Sequence, residues 1–424
     1  MAILYALFVF VAFAVGAAIL AAVSYVYDDR LYTVTGGVAY LLHVFVALAA
    51  LRWLPYGWDI VTYHRTALEL LAGQSPNESP LTIAFGWVVA SLYSVFGSDI
   101  RVVAVFNALL AVLLVVPAAA LARLLYPDVR NGYGLRTVAL FAPSVFFFTS
   151  LPMRDTLALA LFVTTLAAIA AALAHRPRAG LAAVPLVAAL ALLRVELAGL
   201  VAAGAGLAGV VAAAERVLDR SVSIPSLVLG VGVTGLLGFV PFSMRYDIGT
   251  LNFQLGIRGV GGAAYLDGFR YSSWLDVIAT APVRGLYFQF APFPLHVNSA
   301  FDLVAALTTP LLVVVAAAAA RSLSDRTWST PVGALLGMVY VGGVLGYGLV
   351  DANFGTTVRH RVPFVLLLVV FAAPVLEQWW NRLTPQATQW WASLRGRVEV
   401  PPGDDGDRPG KEAETPEGGG LREP

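Results

Sequence analysis

The chain of 424 residues contains no cysteine. That excludes disulfides, thiol nucleophiles and cysteine-ligated metal or iron–sulfur sites. Lys411 is its only lysine, so neither a Schiff-base lysine nor a P-loop lysine exists in the apolar body of the chain. Charge is scarce as well. Asp, Glu, Lys and Arg make up 12% of the sequence, against roughly 25% in soluble domains. The formal net charge is +1, which offers no basic field for nucleic acid as a partner. No HExxH, GxSxG, DxD or GxGxxG stands in a supporting context. The start of the chain lacks a basic n-region and a small-residue cleavage site, so Ile3–Val26 is expected to be a retained helix rather than a signal peptide.

What is abundant is hydrocarbon. Hydrophobic residues account for 59% and the mean hydropathy is +0.78, values of an integral protein of the cell membrane surrounded by lipid. The expected fold class is all-α, a polytopic transmembrane bundle of about 11 to 13 helices with interfacial or re-entrant pieces. Apolar runs predict helices near 3–26, 34–51, 81–97, 101–122, 137–152, 155–174, 179–194, 197–214, 225–242, 301–320, 331–350 and 362–380, with a doubtful one at 283–297. Residues 1–380 therefore form the membrane domain, 381–398 a Trp- and Arg-bearing interfacial stretch, and 399–424 an acidic Pro/Gly-rich tail expected to be disordered. Arginines cluster in alternate connections: Arg123, Arg130 and Arg136; Arg176 and Arg178; Arg216 and Arg220; Arg321 and Arg326; and Arg382, Arg395 and Arg397. The positive-inside rule places these in the cytoplasm and the 243–300 segment outside.

The longest polar interruption in the first third is 52–80. As a helix it sets Asp59, Thr62, Arg65 or Thr66, and Glu69 on one side and Ile60, Val61, His64, Ala67, Leu68 and Leu71 on the other, the pattern of an interfacial helix. A solvated connecting loop is the plainer alternative. Charges beside spanning helices are costly unless paired or facing a cavity. Arg154 and Asp155 open one helix, where Asp155 also complements the helix dipole. Arg194 and Glu196 interrupt another, and at i,i+2 on a helix they cannot simply neutralise each other. His43, alone on an apolar helix, reads as a core histidine. The 243–300 segment carries Arg258, Arg284 and many aromatic residues and prolines, fitting either a re-entrant cavity lining or an interfacial anchor. Finally, Arg359, His360 and Arg361 precede the last helix on the outward face. Guanidinium forks match phosphate oxygens bidentately, although snorkelling to lipid headgroups would also place them there.

Several of these pieces recur together in one family. WDIVTYHRTALELLAG (58–73), a helix ending in LYSVFG (92–97), Arg101 with Asn107, Pro143 and Ser150 followed by Arg154 and Asp155, and the LLRVE break together resemble the GT-C class of integral-membrane glycosyltransferases. The likeness is to the protein mannosyltransferase and aminoarabinose-transferase type and covers roughly 50–215. NFGTTVRHRVP (353–363) looks like a motif in membrane proteins of surface-polysaccharide assembly. What the resemblance implies is a sugar taken from a lipid-linked donor, a polyprenyl phosphate, outside the cytoplasm. Asp59 would be the general base, the one acidic residue at the head of the loop where the family often has two. The cofactor is left open, a divalent cation included. On that footing Arg359, Arg361, His360 and Arg284 would hold the phosphate, Tyr63, His64 and Trp58 would shape the sugar or acceptor site, and Arg154, Asp155, Arg194 and Glu196 would support them. A polymerase or ligase of lipid-linked glycans would use the same arginines. A flippase or other transporter would instead need a continuous polar path past Arg194 and Glu196.

One conflict is visible in the sequence. An odd number of predicted helices separates the Asp59 loop from 243–284, which puts them on opposite faces. A shared site needs an even number, so 137–152 or 179–194, short and interrupted by Pro143 and Pro185, is expected not to cross fully.

Overall fold

Apolar segments in lipid satisfy their backbone polar groups only within themselves, and helices follow. A computed structural model describes residues 2–27, 29–51, 57–174, 177–259, 263–265, 268–297 and 300–395. The expected disordered tail at 399–424 lies outside them. The chain divides into two compact units, Met1–Trp380 and Asn381–Pro424.

The first unit begins with α1 (Ala2–Tyr27) and α2 (Arg30–Ala50), turned at Asp29, whose side chain caps α2 by accepting from Tyr32 N at 3.0 Å. α3 (Gly57–Leu71) and α4 (Pro80–Phe96) form a second hairpin. α5 (Ile100–Leu113) runs through Leu114 into α6 (Val115–Leu125). α7 (Tyr133–Phe141) and α8 (Pro143–Ser150) are one predicted helix broken where Pro143 has no N–H to donate. α9 (Arg154–Leu173), α10 (Pro177–Leu193), α11 (Val195–Leu218) and α12 (Ile224–Arg245) follow as an antiparallel series. α13 (Ile248–Arg258), α14 (Trp274–Phe290), α15 (Ala300–Asp325), α16 (Thr330–Val350), α17 (Phe354–His360), α18 (Val362–Phe371) and α19 (Ala373–Arg395) complete the order. The described part of the second unit, 381–395, is the continuation of α19.

The all-α polytopic bundle expected from the sequence is what the chain forms. Eight described helices are long and apolar enough to cross a membrane, nine if the bent α17–α18 pair counts as one span, and α4 and α10 are shorter apolar helices. Among the described residues the strand content is nil apart from one bridge between Ala264 and Asn353. α18 is the axis: Val362 and every residue from Phe364 to Phe371 are buried, as a helix apolar on all sides requires. α15, α16, α6, α7 and α8 pack around it.

The segment 243–300 differs from the expected irregular piece in containing two helices, α13 and α14. α14 starts at Trp274, capped by Ser273, and passes straight through Pro282. Its backbone lies so close to α16 that a methyl on Gly348 would meet Arg284 O and Gly285 N at 2.9 Å. Such packing offsets the ~3 kcal/mol that an internal proline costs.

The odd crossing count also resolves here, and not where the sequence placed the fault. α7–α8 is broken yet traverses the bundle: the Tyr133 ring lies tilted against Trp380 at one end, while Ser150 meets His43 and leads into Asp155 at the other. The missing crossing is α3, which lies antiparallel to α4, with His64 bonded to Tyr93 and Gly86 against Thr66 and Leu70. This hairpin therefore starts and ends at the same end of the bundle. α3 is not a simple two-sided interfacial helix either. Ile60, Tyr63, Thr66, Ala67 and Leu70 are buried, while Val61, Leu68 and Leu71 are exposed.

Candidate active site

The 151–153 turn between α8 and α9 is held by Asn107, whose Nδ2 donates to Leu151 O (2.6 Å) and Met153 O (2.8 Å). Thr156 Oγ1 donates to Thr149 O at 3.0 Å across the same turn. This fixes Asp155 at the start of α9. Arg194 lies where α10 stops and α11 begins, with φ −150° and ψ 81°. The expectation that Arg194 and Glu196 cannot pair presumed an unbroken helix. With extended backbone at Arg194 they do pair, Nη1 to Oε1 at 3.3 Å. Arg359 and His360 end α17, just before the chain bends by 46° into α18.

These elements bring five charged side chains into one chain of contacts. Arg359 Nη1 donates to Asp59 Oδ2 at 2.7 Å, and its Nε and Nη2 both reach Asp155 Oδ2 at 2.7 Å. Asp155 Oδ1 accepts from Arg194 Nη2, and Arg194 Nη1 extends the chain to Glu196, which also accepts from Tyr347 Oη at 3.0 Å. A branch leaves through His360: its Nε2 is 3.4 Å from Arg194 Nη1 and its Nδ1 is 2.9 Å from Asp351 Oδ2. Asp351 in turn accepts from Arg258 Nη1 at 2.6 Å. Burial pushes the Asp351 carboxyl up, but His360 and Arg258 beside it outweigh this and hold it below its usual range.

Asp155, Arg194, Arg359 and His360 line one narrow cleft, together with Thr149, Thr156, Tyr347 and an apolar wall that includes Phe148, Leu159, Leu197 and Val362. Asp59 and Glu196 reach it through the arginines they pair with. Asp155 and Arg194, expected only to support the site, line it, and Glu196 pairs with Arg194 at its edge.

Other expected residues stand elsewhere. Arg361 is fully buried, with no side chain area exposed, and does not line the cleft. It donates to Ala291 O, to Gln289 O at 3.4 Å and to Thr308 Oγ1 at 3.0 Å, so it caps the C-terminal end of α14. Arg284 does the same for α16, donating to Gly348 O at 2.8 Å and Asp351 O at 2.9 Å while lying against the Phe269 and Tyr271 rings. A cation at a helix C-terminus meets half a negative charge there, which explains two arginines that the sequence assigns to phosphate. Tyr63 packs edge-on against Phe85 inside the α3–α4 hairpin, and His64 bonds Tyr93 Oη at 2.7 Å; neither lines the cleft. Arg154 does not line the cleft, and its Nε is buried without a hydrogen-bond partner. The Trp58 side chain lies outside the described residues. His43 is a core residue, bonded to Ser150 Oγ at 2.7 Å.

Asp351 and Tyr347 were not singled out by the sequence. The available signal was an aspartate closing an uncharged 21-residue helix. Among the described residues no group of three or more His, Asp and Glu is arranged to hold a metal ion. The guanidinium of Arg359 instead stands between the carboxylates of Asp59 and Asp155. No protein-family model, curated protein or solved structure matches the chain.

Proposed function

We propose that the protein is a membrane glycosyltransferase that moves a sugar from a polyprenyl-phosphate-linked donor to an acceptor hydroxyl on the extracytoplasmic face. The observation that carries this reading is the 2.7 Å contact of Arg359 with Asp59, which gathers guanidinium groups and carboxylates in one cleft with an apolar wall. A phosphate would take the place of the Asp155 carboxylate on Arg359 and Arg194, since both anions suit the same planar donors. The apolar wall suits the first isoprene units. A polyprenyl phosphate is already a good leaving group, so a base and charge stabilisation suffice without a general acid.

Two further features support it over a transporter. The cleft backs onto the apolar α18, so the charged groups end blind instead of lining a path. The connection carrying Arg123, Arg130 and Arg136 meets the one carrying Arg321 and Arg326 at the opposite end, where Ser329 N donates to Leu125 O at 2.8 Å. The positive-inside rule makes that end cytoplasmic.

The test is to incubate the purified protein in lipid nanodiscs with a panel of polyprenyl-phosphate sugars and follow sugar release or transfer. Turnover is expected, with Arg359→Ala raising the donor KM. A folded wild-type protein inert toward the whole panel would sink the reading.

A further inference from the structure

Asp59, the residue at which the family resemblance points for proton abstraction, is committed to Arg359. That contact, at 2.7 Å, occupies Asp59 Oδ2 with a charged donor. The cleft contains another acceptor. His360 Nδ1 faces Asp351 Oδ2 at 2.9 Å, which fixes the ring and assigns the Nδ1 proton to that bond. Its Nε2 faces Arg194 Nη1 at 3.4 Å. Guanidinium nitrogens only donate, so Nε2 presents its lone pair. Asp351 is itself fully buried and held by Arg258 at 2.6 Å. His360 lines the cleft, and a carboxylate that orients an imidazole whose far nitrogen is held only by a 3.4 Å contact is the arrangement of a general base.

We infer that His360, oriented by Asp351, takes the proton from the acceptor hydroxyl, and that Asp59 positions Arg359. The inference rests on the glycosyltransferase reading above. In the step, the acceptor oxygen forms a bond to the anomeric carbon. The bond from that carbon to the phosphate oxygen breaks, its electron pair leaving with the polyprenyl phosphate. The hydroxyl proton passes to His360 Nε2 and from there to the released phosphate, restoring the imidazole. The groups facing His360 are Asp351 and Tyr347 from α16 and its end, Arg194 and Glu196 from the α10–α11 break, Asp155 from α9 and Arg359 beside it.

The experiment measures kcat and donor KM against pH for wild type, His360→Gln, His360→Ala with and without imidazole, Asp351→Asn and Asp59→Asn. Wild type is expected to lose kcat toward acid along one limb. His360→Gln should lower kcat by about 10²–10⁴-fold with little change in donor KM, and abolish the limb. Imidazole should restore part of the rate of His360→Ala, which a merely structural histidine would not allow. Asp351→Asn should move the limb, and Asp59→Asn should raise donor KM while keeping it. Wild-type kcat and an intact limb in His360→Gln would overturn the inference and leave the glycosyltransferase reading standing. If the His360 variants do not fold, an unmoved limb in Asp351→Asn overturns it. A silent wild type overturns both.

Discussion

Arg359 Nη1 lies 2.7 Å from Asp59 Oδ2 although 300 positions separate them in the chain. Helices near the two ends of the membrane unit thus meet at one end of the bundle, and the intervening helices return to it in pairs.

That shared end predicts a labelling pattern. In this cysteine-free chain, Ser98→Cys and Arg270→Cys should react with an impermeant thiol reagent from one side of sealed vesicles, and Arg321→Cys from the other. Ser98 adjoins the Asp99 cap of α5, and Arg270 precedes Tyr271, whose Oη bonds Leu349 O at 2.9 Å at the cleft end of α16. Labelling of positions 98 and 270 from opposite sides would contradict the shared cleft.

The central ion pairs should resist removal of one partner. Asp155→Asn leaves Arg194 and Arg359 buried with less compensation, at a cost of about 3–5 kcal/mol. Thermal melting in detergent should show this loss, and a second change, Arg194→Met, should restore part of it. Equal losses that simply add would mean the two residues are not coupled.

Arg361 should behave as a helix cap rather than a phosphate ligand. Arg361→Gln leaves Ala291 O and Gln289 O without their donor, costing about 1–3 kcal/mol. The folded fraction should bind the donor with unchanged KM. A large rise in KM at full stability would return Arg361 to the phosphate site.

Asp351 gives a pH dependence with a definite sign. Its carboxyl is held below the unfolded value of 3.8, so its contribution to stability is fully present above that value and is lost as pH falls through the folded value. Melting curves of wild type and Asp351→Asn should therefore differ most near neutrality and converge below about pH 3.8. A gap that stays constant with pH would show that the charge of Asp351 contributes nothing.

Gly348 should tolerate no side chain. A methyl there would meet the Arg284 carbonyl carbon and oxygen and Gly285 N at 2.9 Å, and backbone on both sides cannot rotate away. Gly348→Ala is expected to lose about 1–3 kcal/mol, read as a lower melting temperature, and to displace the Arg284 cap.

The sequence by itself determined the class of the molecule. Scarce charge and repeated apolar runs of spanning length leave helices as the only structure that satisfies the backbone in lipid, and this is local information. It also marked Asp59, Asp155, Arg194, Glu196, Arg359 and His360, because an ionisable group beside a spanning helix is conspicuous by its cost. It did not separate these from Arg284 and Arg361, which carry the same charge in the same setting. Only the tertiary structure decided that those two meet helix C-termini while Arg359 and Arg194 meet carboxylates, since the partner comes from a distant segment. The parity of crossings was equally out of reach. It turned on α3, whose mixed polar and apolar residues read as a surface helix until α4 is seen packed along it. Pairing of Arg194 with Glu196 was hidden for a related reason: residue spacing implies a face only while the helix continues, and at Arg194 it stops.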